Sequence, residues 1–183
     1  MNVISASKLE KLNEELAVAI GFFDGVHLGH QAVIKKAVKY AKKNNLISVV
    51  MTFDRSPKFV LGKVKADSNL TTDDEKFALL EEMDVDYVLV LEFDDELLRM
   101  SAQDFIDEYL IKTKARFVSV GFDFRFGYRG LGDCNVLLNH GGFAVEITEP
   151  VMIGGLKVST TEIKKYRNEK KNGKIEEMLG RTL

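Results

Sequence analysis

A short apolar run, a glycine-spaced turn and an amphipathic helix follow one another between Ala17 and Ala41 (AVAIGFFDGVHLGHQAVIKKAVKYA), and no other stretch limits the fold of this chain so strongly. Ala17–Ile20, with its Val and Ile, reads as a buried strand. Gly21 and Gly25 then mark a turn. From Leu28 onward Val33, Ile34, Ala37, Val38 and Ala41 recur at helical spacing, while Lys35, Lys36, Lys39, Lys42 and Lys43 lie on the other side. His27 and His30 fall where turn becomes helix, three residues apart, so their rings share one face of its first turn.

That junction is a natural anion site. The first N–H groups of a helix lack internal partners, and the aligned peptide dipoles leave partial positive charge there. A phosphate is the ligand such a terminus favours, and Gly29 between the two histidines allows close approach to the backbone. Opposing effects set the charge of the imidazoles. An exposed helix terminus favours the neutral ring by about 0.3–1 kcal/mol. A phosphate oxygen about 4 Å away offers several kcal/mol of raw attraction at an effective dielectric near 20. Nucleotide binding is therefore expected to raise the pKa of at least one of the two histidines, an outcome read by NMR titration with and without ligand.

Rival motifs are absent. No G-x-x-x-x-G-K-[ST] is present, and the glycines do not follow G-x-G-x-x-G. H-x-x-H without a nearby third ligand is a poor zinc site, so no protein-held metal is expected. Net charge is −2, which offers no broad basic field to nucleic acid or an anionic membrane. Apolar runs are too short to span a bilayer and the start has no signal-peptide layout. Cys134 is the single cysteine, which fits a reducing cytoplasm. The 183 residues suffice for one domain with a sizeable core.

Along the chain, residues 1–16 read as a polar, partly helical lead-in. Strands are expected at 46–53, 85–91, 116–121 and 143–147. Helices are expected from the Thr72/Glu75 capping box through Met83, from Ser101 to about Lys112, over 135–140, and from Thr161 to about Lys171, with a last turn around Ile175–Leu179. Asp54–Leu70 is a long loop. Such alternation predicts an α/β fold with a mainly parallel sheet, whose ligands bind beyond the carboxyl ends of the strands.

A second constellation is VGFDFRFGYRGLGD, Val120–Asp133. If extended, it places Phe122, Phe124, Phe126 and Tyr128 on one face, with Asp123, Arg125 and Arg129 alternating. Aromatics beside fixed charges and glycines suit a planar ring carrying a phosphate tail. An aromatic strand packed on the core explains them equally. An RNA-binding reading fails for lack of a second aromatic strand and of basic excess.

GFFDGVHLGH resembles the G-x-F-D-x-x-H-x-G-H signature of the nucleotidylyltransferase superfamily, and its GVHLGHQ form is similar to prokaryotic FAD synthetases, the FMN adenylyltransferase modules of bifunctional riboflavin kinase/FAD synthetases. Val120–Asp133 resembles the family's flavin-side VGxDFxFG…GD motif. TFDRSPKFVL (Thr52–Leu61) resembles its T-F-E/D-P-H-P segment, with Arg55 and Ser56 in place of Pro and His. KVSTTEIKK (Lys157–Lys165) resembles its V-S-S-T-R-I-R element, with Glu162 and Lys164 in place of Arg.

The resemblance implies a Rossmann-like fold with a small flavin-side subdomain, and adenylyl transfer from ATP to FMN giving FAD and pyrophosphate. It implies His27 and His30 as catalytic groups. ATP would be held by these with Gly21, Phe22, Phe23, Asp24, Gly29, Ser159, Thr160, Thr161 and Lys164. Flavin would be held by Phe53, Pro57, Asp123, Phe124, Arg125 and Phe126, and Mg²⁺ would arrive with ATP. A single domain over 1–183 is expected, with no riboflavin kinase module. The competing readings are a flavin- or nucleotide-binding regulator of weakened activity, and a sister nucleotidylyltransferase with another phosphorylated substrate.

Overall fold

A computed structural model describes residues 1–5, 13–62 and 69–183, apart from the side chains of Pro57 and Lys58. At its centre runs β2 (Leu16–Ile20), five residues buried on both faces, as an apolar run in a parallel sheet must be. On one side lie β3 (Ile47–Phe53), β4 (Tyr87–Leu91) and β1 (Asn2–Ile4); on the other lie β5 (Ala115–Gly121) and β6 (Ala144–Thr148). Every pairing in this six-stranded sheet is parallel. Chain order reverses at β2, between β3 and β5, and a doubly wound sheet opens a ligand crevice at such a point, beyond the carboxyl ends of its strands. Gly21, where β2 ends, stands there.

Each face of the sheet carries its own core. Helix α1 (Leu28–Asn44) lies on the first and buries Val33, Ile34, Ala37, Val38 and Ala41, the five residues that the spacing picks out. They pack with Ala17, Ala19, Val50, Val88 and Phe117. Asn45, left-handed at φ 57°, ends the helix. The second face gathers Val18, Ile20, Met51, Phe53, Leu89, Val118 and Val120 with Phe105, Phe126 and Leu137. A small third cluster around Val158, Ile163 and Met178 joins α7 (Thr160–Asn168) to α8 (Asn172–Leu179).

The caps follow the expected chemistry. Thr72 and Glu75 form a reciprocal capping box opening α3 (Asp73–Glu81), and Ser101 caps α5 (Ala102–Ile106). Several expectations need correction. Asn2–Ile4 of the presumed lead-in is a strand, held by parallel pairing to β4. Within the presumed loop α2 (Pro57–Val60) forms a helical turn, and beyond it α4 (Asp95–Arg99), capped by Asp94, is a helix absent from the expected set. The helix expected over 101–112 tightens into α5 and then widens into a π-type turn, Asp107–Ile111. A short antiparallel pair, β7 (Met152–Ile153) and β8 (Leu156–Lys157), precedes α7. Residues 6–12 of the lead-in and 63–68 of the long loop lie outside the described residues. No helix among the described residues is long and apolar enough to cross a membrane.

The segment after β5 is not extended. Phe124 N–H donates to Gly121 O (3.0 Å), Phe126 and Gly132 bridge, and Gly127, Arg129 and Gly130 take left-handed φ of 70°, 54° and 67°. The four aromatics therefore part company: Phe126 enters the core at 7% exposure, whereas Phe122 and Tyr128 are exposed at 40% and 41%. Helix α6 (Cys134–His140) follows, and Gly141 at φ 76° ends it.

Candidate active site

Between β2 and α1 the backbone makes a strained turn, with Phe23 at φ 55°, Gly25 at 78° and the β-branched Val26 at 39°. Non-glycine residues hold such angles only where their surroundings over-determine them. Asp24 is the clasp. Its carboxylate, 5% exposed, accepts from the N–H groups of Leu70 (2.6 Å) and Thr71 (3.3 Å) and lies 3.3 Å from Lys164 Nζ. Its carbonyl accepts from Thr160 Oγ1. One buried carboxylate thus ties the β2–α1 turn to α7.

The two histidines follow. His27 caps α1, its Nδ1 accepting the backbone N–H of His30 at 3.3 Å. With Nδ1 an acceptor, the neutral ring carries its proton on Nε2. The rings stack at 3.6 Å between centroids, with 18° between planes, and Phe23 meets the edge of His30 at 5.4 Å. Gly29 leaves room for the His27 ring, since a Cβ there would lie 3.2 Å from it and the ring would have to shift by a few tenths of an ångström. Nδ1 of His30 is buried with no hydrogen-bond partner among the described residues.

Burial, then the charge of Lys157, pushes the His27 pKa down to about 4. Burial, reinforced by His27, holds His30 well below its ordinary value. Both imidazoles are therefore neutral near pH 7. The folded pKa of His27 lies below the unfolded 6.5, so stability is full above pH 6.5 and falls as pH drops towards about 4. From this ring the loss is roughly 2 kcal/mol between pH 6.5 and about 5, with His30 adding in the same direction. Thermal midpoints across that range check it; a flat profile would contradict neutral, buried rings.

Around this pair opens a cleft of about 580 Å³. It is walled by Gly21, His27, Gly29 and His30 and by the Ser159–Thr161 turn, where Ser159 Oγ accepts the N–H of Glu162 and caps α7. Two helix N-termini therefore line one cleft, a doubled anion site. At the other end stand Phe22, Phe53, Phe122, Asp123, Phe124 and Arg125. Asp123 pairs with Lys157 at 2.8 Å, and that Nζ lies 4.2 Å from the Phe122 ring centroid, so charge and aromatic ring meet at the cleft wall. Arg125 is tethered by Asp133 (3.3 Å), which also caps α6.

Most of the residues singled out in the sequence converge on this cleft, including Phe23 and Thr160. Of those assigned to ATP or flavin, three with described side chains do not line it. Asp24 lies beneath as the clasp, Lys164 is drawn to it, and Phe126 supports Phe124 from the core with the two rings stacked at 5.5 Å. Pro57 opens α2, and its side chain lies outside the described residues. Glu162 is turned to Lys165 at 3.8 Å and stays off the cleft wall. Sequence reasoning missed Lys157, Thr148, Glu149 and Pro150. Only Lys157, a cation directly before the hydroxyl-rich turn, carried a readable signal.

The family model for FAD synthetase matches residues 9–162. The chain belongs to the FAD synthetase family. It is 35% identical over 178 residues to a bifunctional riboflavin kinase/FMN adenylyltransferase of Buchnera aphidicola subsp. Schizaphis graminum, covering 94% of this chain and 57% of that protein. To the enzyme of that name from Escherichia coli K12 it is 36% identical over 171 residues, covering 91% and 55%. The chain thus spans about half the length of the curated relatives it matches. A crystal structure described as a macrolide-efflux protein from Streptococcus pneumoniae superposes with a TM-score of 0.87 at 28% identity, over 99% of this chain and 62% of that one.

Proposed function

We propose that this chain transfers the adenylyl group of Mg-ATP to FMN, giving FAD and pyrophosphate. An oxygen of the FMN phosphate attacks the α-phosphorus in line. The bond to it forms as the bond from the α-phosphorus to the bridging oxygen breaks, and pyrophosphate leaves with that electron pair. No side-chain nucleophile is needed, so catalysis consists of positioning and charge stabilisation. The observation that carries this reading is the stacked His27–His30 pair at the start of α1, which lines one cleft with the Ser159–Thr161 turn.

His27 and His30 meet the triphosphate, and the Nε2–H of His27 is a ready donor to charge developing on the leaving pyrophosphate. Ser159 and Thr161 offer hydroxyls, and the start of α7 its N–H groups, to the leaving end, while Thr160 and Lys164 act through Asp24. Phe53, Phe124 and Arg125 seat the flavin, with Phe126 and Asp133 behind them. No three His, Cys, Asp or Glu side chains converge as a metal cage among the described residues, and magnesium enters as part of the substrate, neutralising phosphate charge. The work is that of a cytoplasmic small-molecule enzyme, with neither nucleic acid nor membrane as a partner.

Binding without turnover is the second reading, favoured by Lys164, which stands in place of a family Arg and is engaged with Asp24. Purified protein with Mg-ATP and FMN, followed for FAD and pyrophosphate, separates the two. Turnover with FMN and none with riboflavin is the expected result. Binding of both substrates with no FAD formed would favour the regulator, and indifference to FMN a sister enzyme.

A further inference from the structure

We infer that Thr148 hydrogen-bonds the base of the bound nucleotide, in a slot on the α1 face of the sheet; the inference deepens the proposed function and rests on it for the identity of the ligand. Thr148 ends β6, is 6% exposed, and lines the cleft. Its carbonyl is used, accepting the N–H of Phe122 at 3.0 Å, but its hydroxyl is buried with no hydrogen-bond partner among the described residues. Native structures rarely strand a hydroxyl in this way, and a site for an absent ligand is one of the few reasons to do so.

Strand alternation decides which substrate it meets. Ile147 packs into the core on the face that holds Phe53, Phe105 and Phe126. Glu146, one residue earlier, pairs with Lys36 of α1 at 3.0 Å, on the opposite face. Alternation therefore puts Thr148 on the α1 side, with Glu146 and with the helix start that bears the histidines. The flavin-side aromatics Phe53 and Phe124 pack on the other core, so the hydroxyl belongs to the nucleotide.

The space beside it belongs to the cleft. In register across from Thr148 stands Gly121, and a Cβ there would meet nothing closer than Asp123 Oδ1 at 3.4 Å. Val33 and Pro150 add apolar surface to the cleft wall. One hydroxyl in such a wall reads one polar edge of a base, and it can donate or accept. Where it stands the hydroxyl bonds nothing. A turn of about 120° around χ1, exchanging hydroxyl with methyl, therefore breaks no hydrogen bond when ligand arrives.

Thr148→Val and Thr148→Ser test this, through kcat, both KM values, the Kd for Mg-ATP by calorimetry, and the thermal midpoint. For Thr148→Val, Kd and KM for ATP are expected to rise about five- to tenfold, since one hydrogen bond is lost. The KM for FMN and kcat should stay within about twofold, because neither the flavin nor the phosphates are touched. The midpoint of the free protein should stay level or rise, because a methyl replaces an unpaired hydroxyl. Thr148→Ser should restore ATP affinity. An unchanged affinity for ATP in Thr148→Val, a change confined to FMN, or a lowered midpoint would each overturn the assignment. A wild-type protein that binds Mg-ATP but makes no FAD would overturn the proposed reaction alone, and the ratio of Kd values would still decide for Thr148. Failure of the wild type to bind Mg-ATP would overturn both.

Discussion

His30→Ala is expected to lower kcat for FAD formation by roughly 10²–10³-fold, the usual effect of removing one preorganised donor to a developing oxyanion. Geometry makes the variant informative. The cap of α1 is His27 Nδ1, and it accepts the backbone N–H of residue 30, which alanine retains. The imidazole of His30 is held by stacking on His27 and by the Phe23 edge, and its Nδ1 is unpaired, so truncation breaks no hydrogen bond made by that atom. The rate should therefore fall far more than the fold weakens. His27→Ala would behave differently, losing a donor and a helix cap together, with about 1 kcal/mol of stability gone as well. A His30→Ala enzyme within threefold of the parent, about 0.65 kcal/mol of barrier, would retire the catalytic role.

Asp24→Ala is expected to destabilise the fold by about 3 kcal/mol, the lower end for breaking a buried ion pair because Lys164 is partly solvated. For a chain of this length that lowers the thermal midpoint by about 6–12 °C. Three groups lose their acceptor at once: the N–H groups of Leu70 and Thr71, and Lys164 Nζ. The clasp also holds the positive-φ turn of Phe23, Gly25 and Val26, so ATP affinity should fall with stability. Asp24→Asn keeps an acceptor for the backbone and should cost less. A midpoint for Asp24→Ala within about 2 °C of the parent would show that the turn is held by other means.

Much of this was legible in the sequence, and the residues show why. The five apolar positions of α1 are set by helical period, and the burial of β2 by a short Val/Ile run; both are local signals. That residues 21–30 and 157–165 would share a cleft was readable because each is a contiguous motif, and the phosphate role proposed for them rests on their chemistry. Other features depend on partners remote in sequence. Asp24 reads as a ligand until Leu70 and Lys164 are brought to it. Phe126 reads as a flavin contact until the turn at Gly127 folds it inward beside Phe105. Asn2–Ile4 is too short and polar to announce a strand, and only pairing with β4 makes it one. Thr148 gives no local sign, since its interest lies in a missing partner and in which face of β6 it occupies.

The most direct test is a crystal structure of the protein with FMN and a non-hydrolysable Mg-ATP analogue. The expected result is triphosphate density at the opening turn of α1, within hydrogen-bonding reach of His27 and His30 and faced by the Ser159–Thr161 turn, with the flavin beside Phe53 and Phe124. Phosphates bound elsewhere, with both imidazoles untouched, would contradict the central claim.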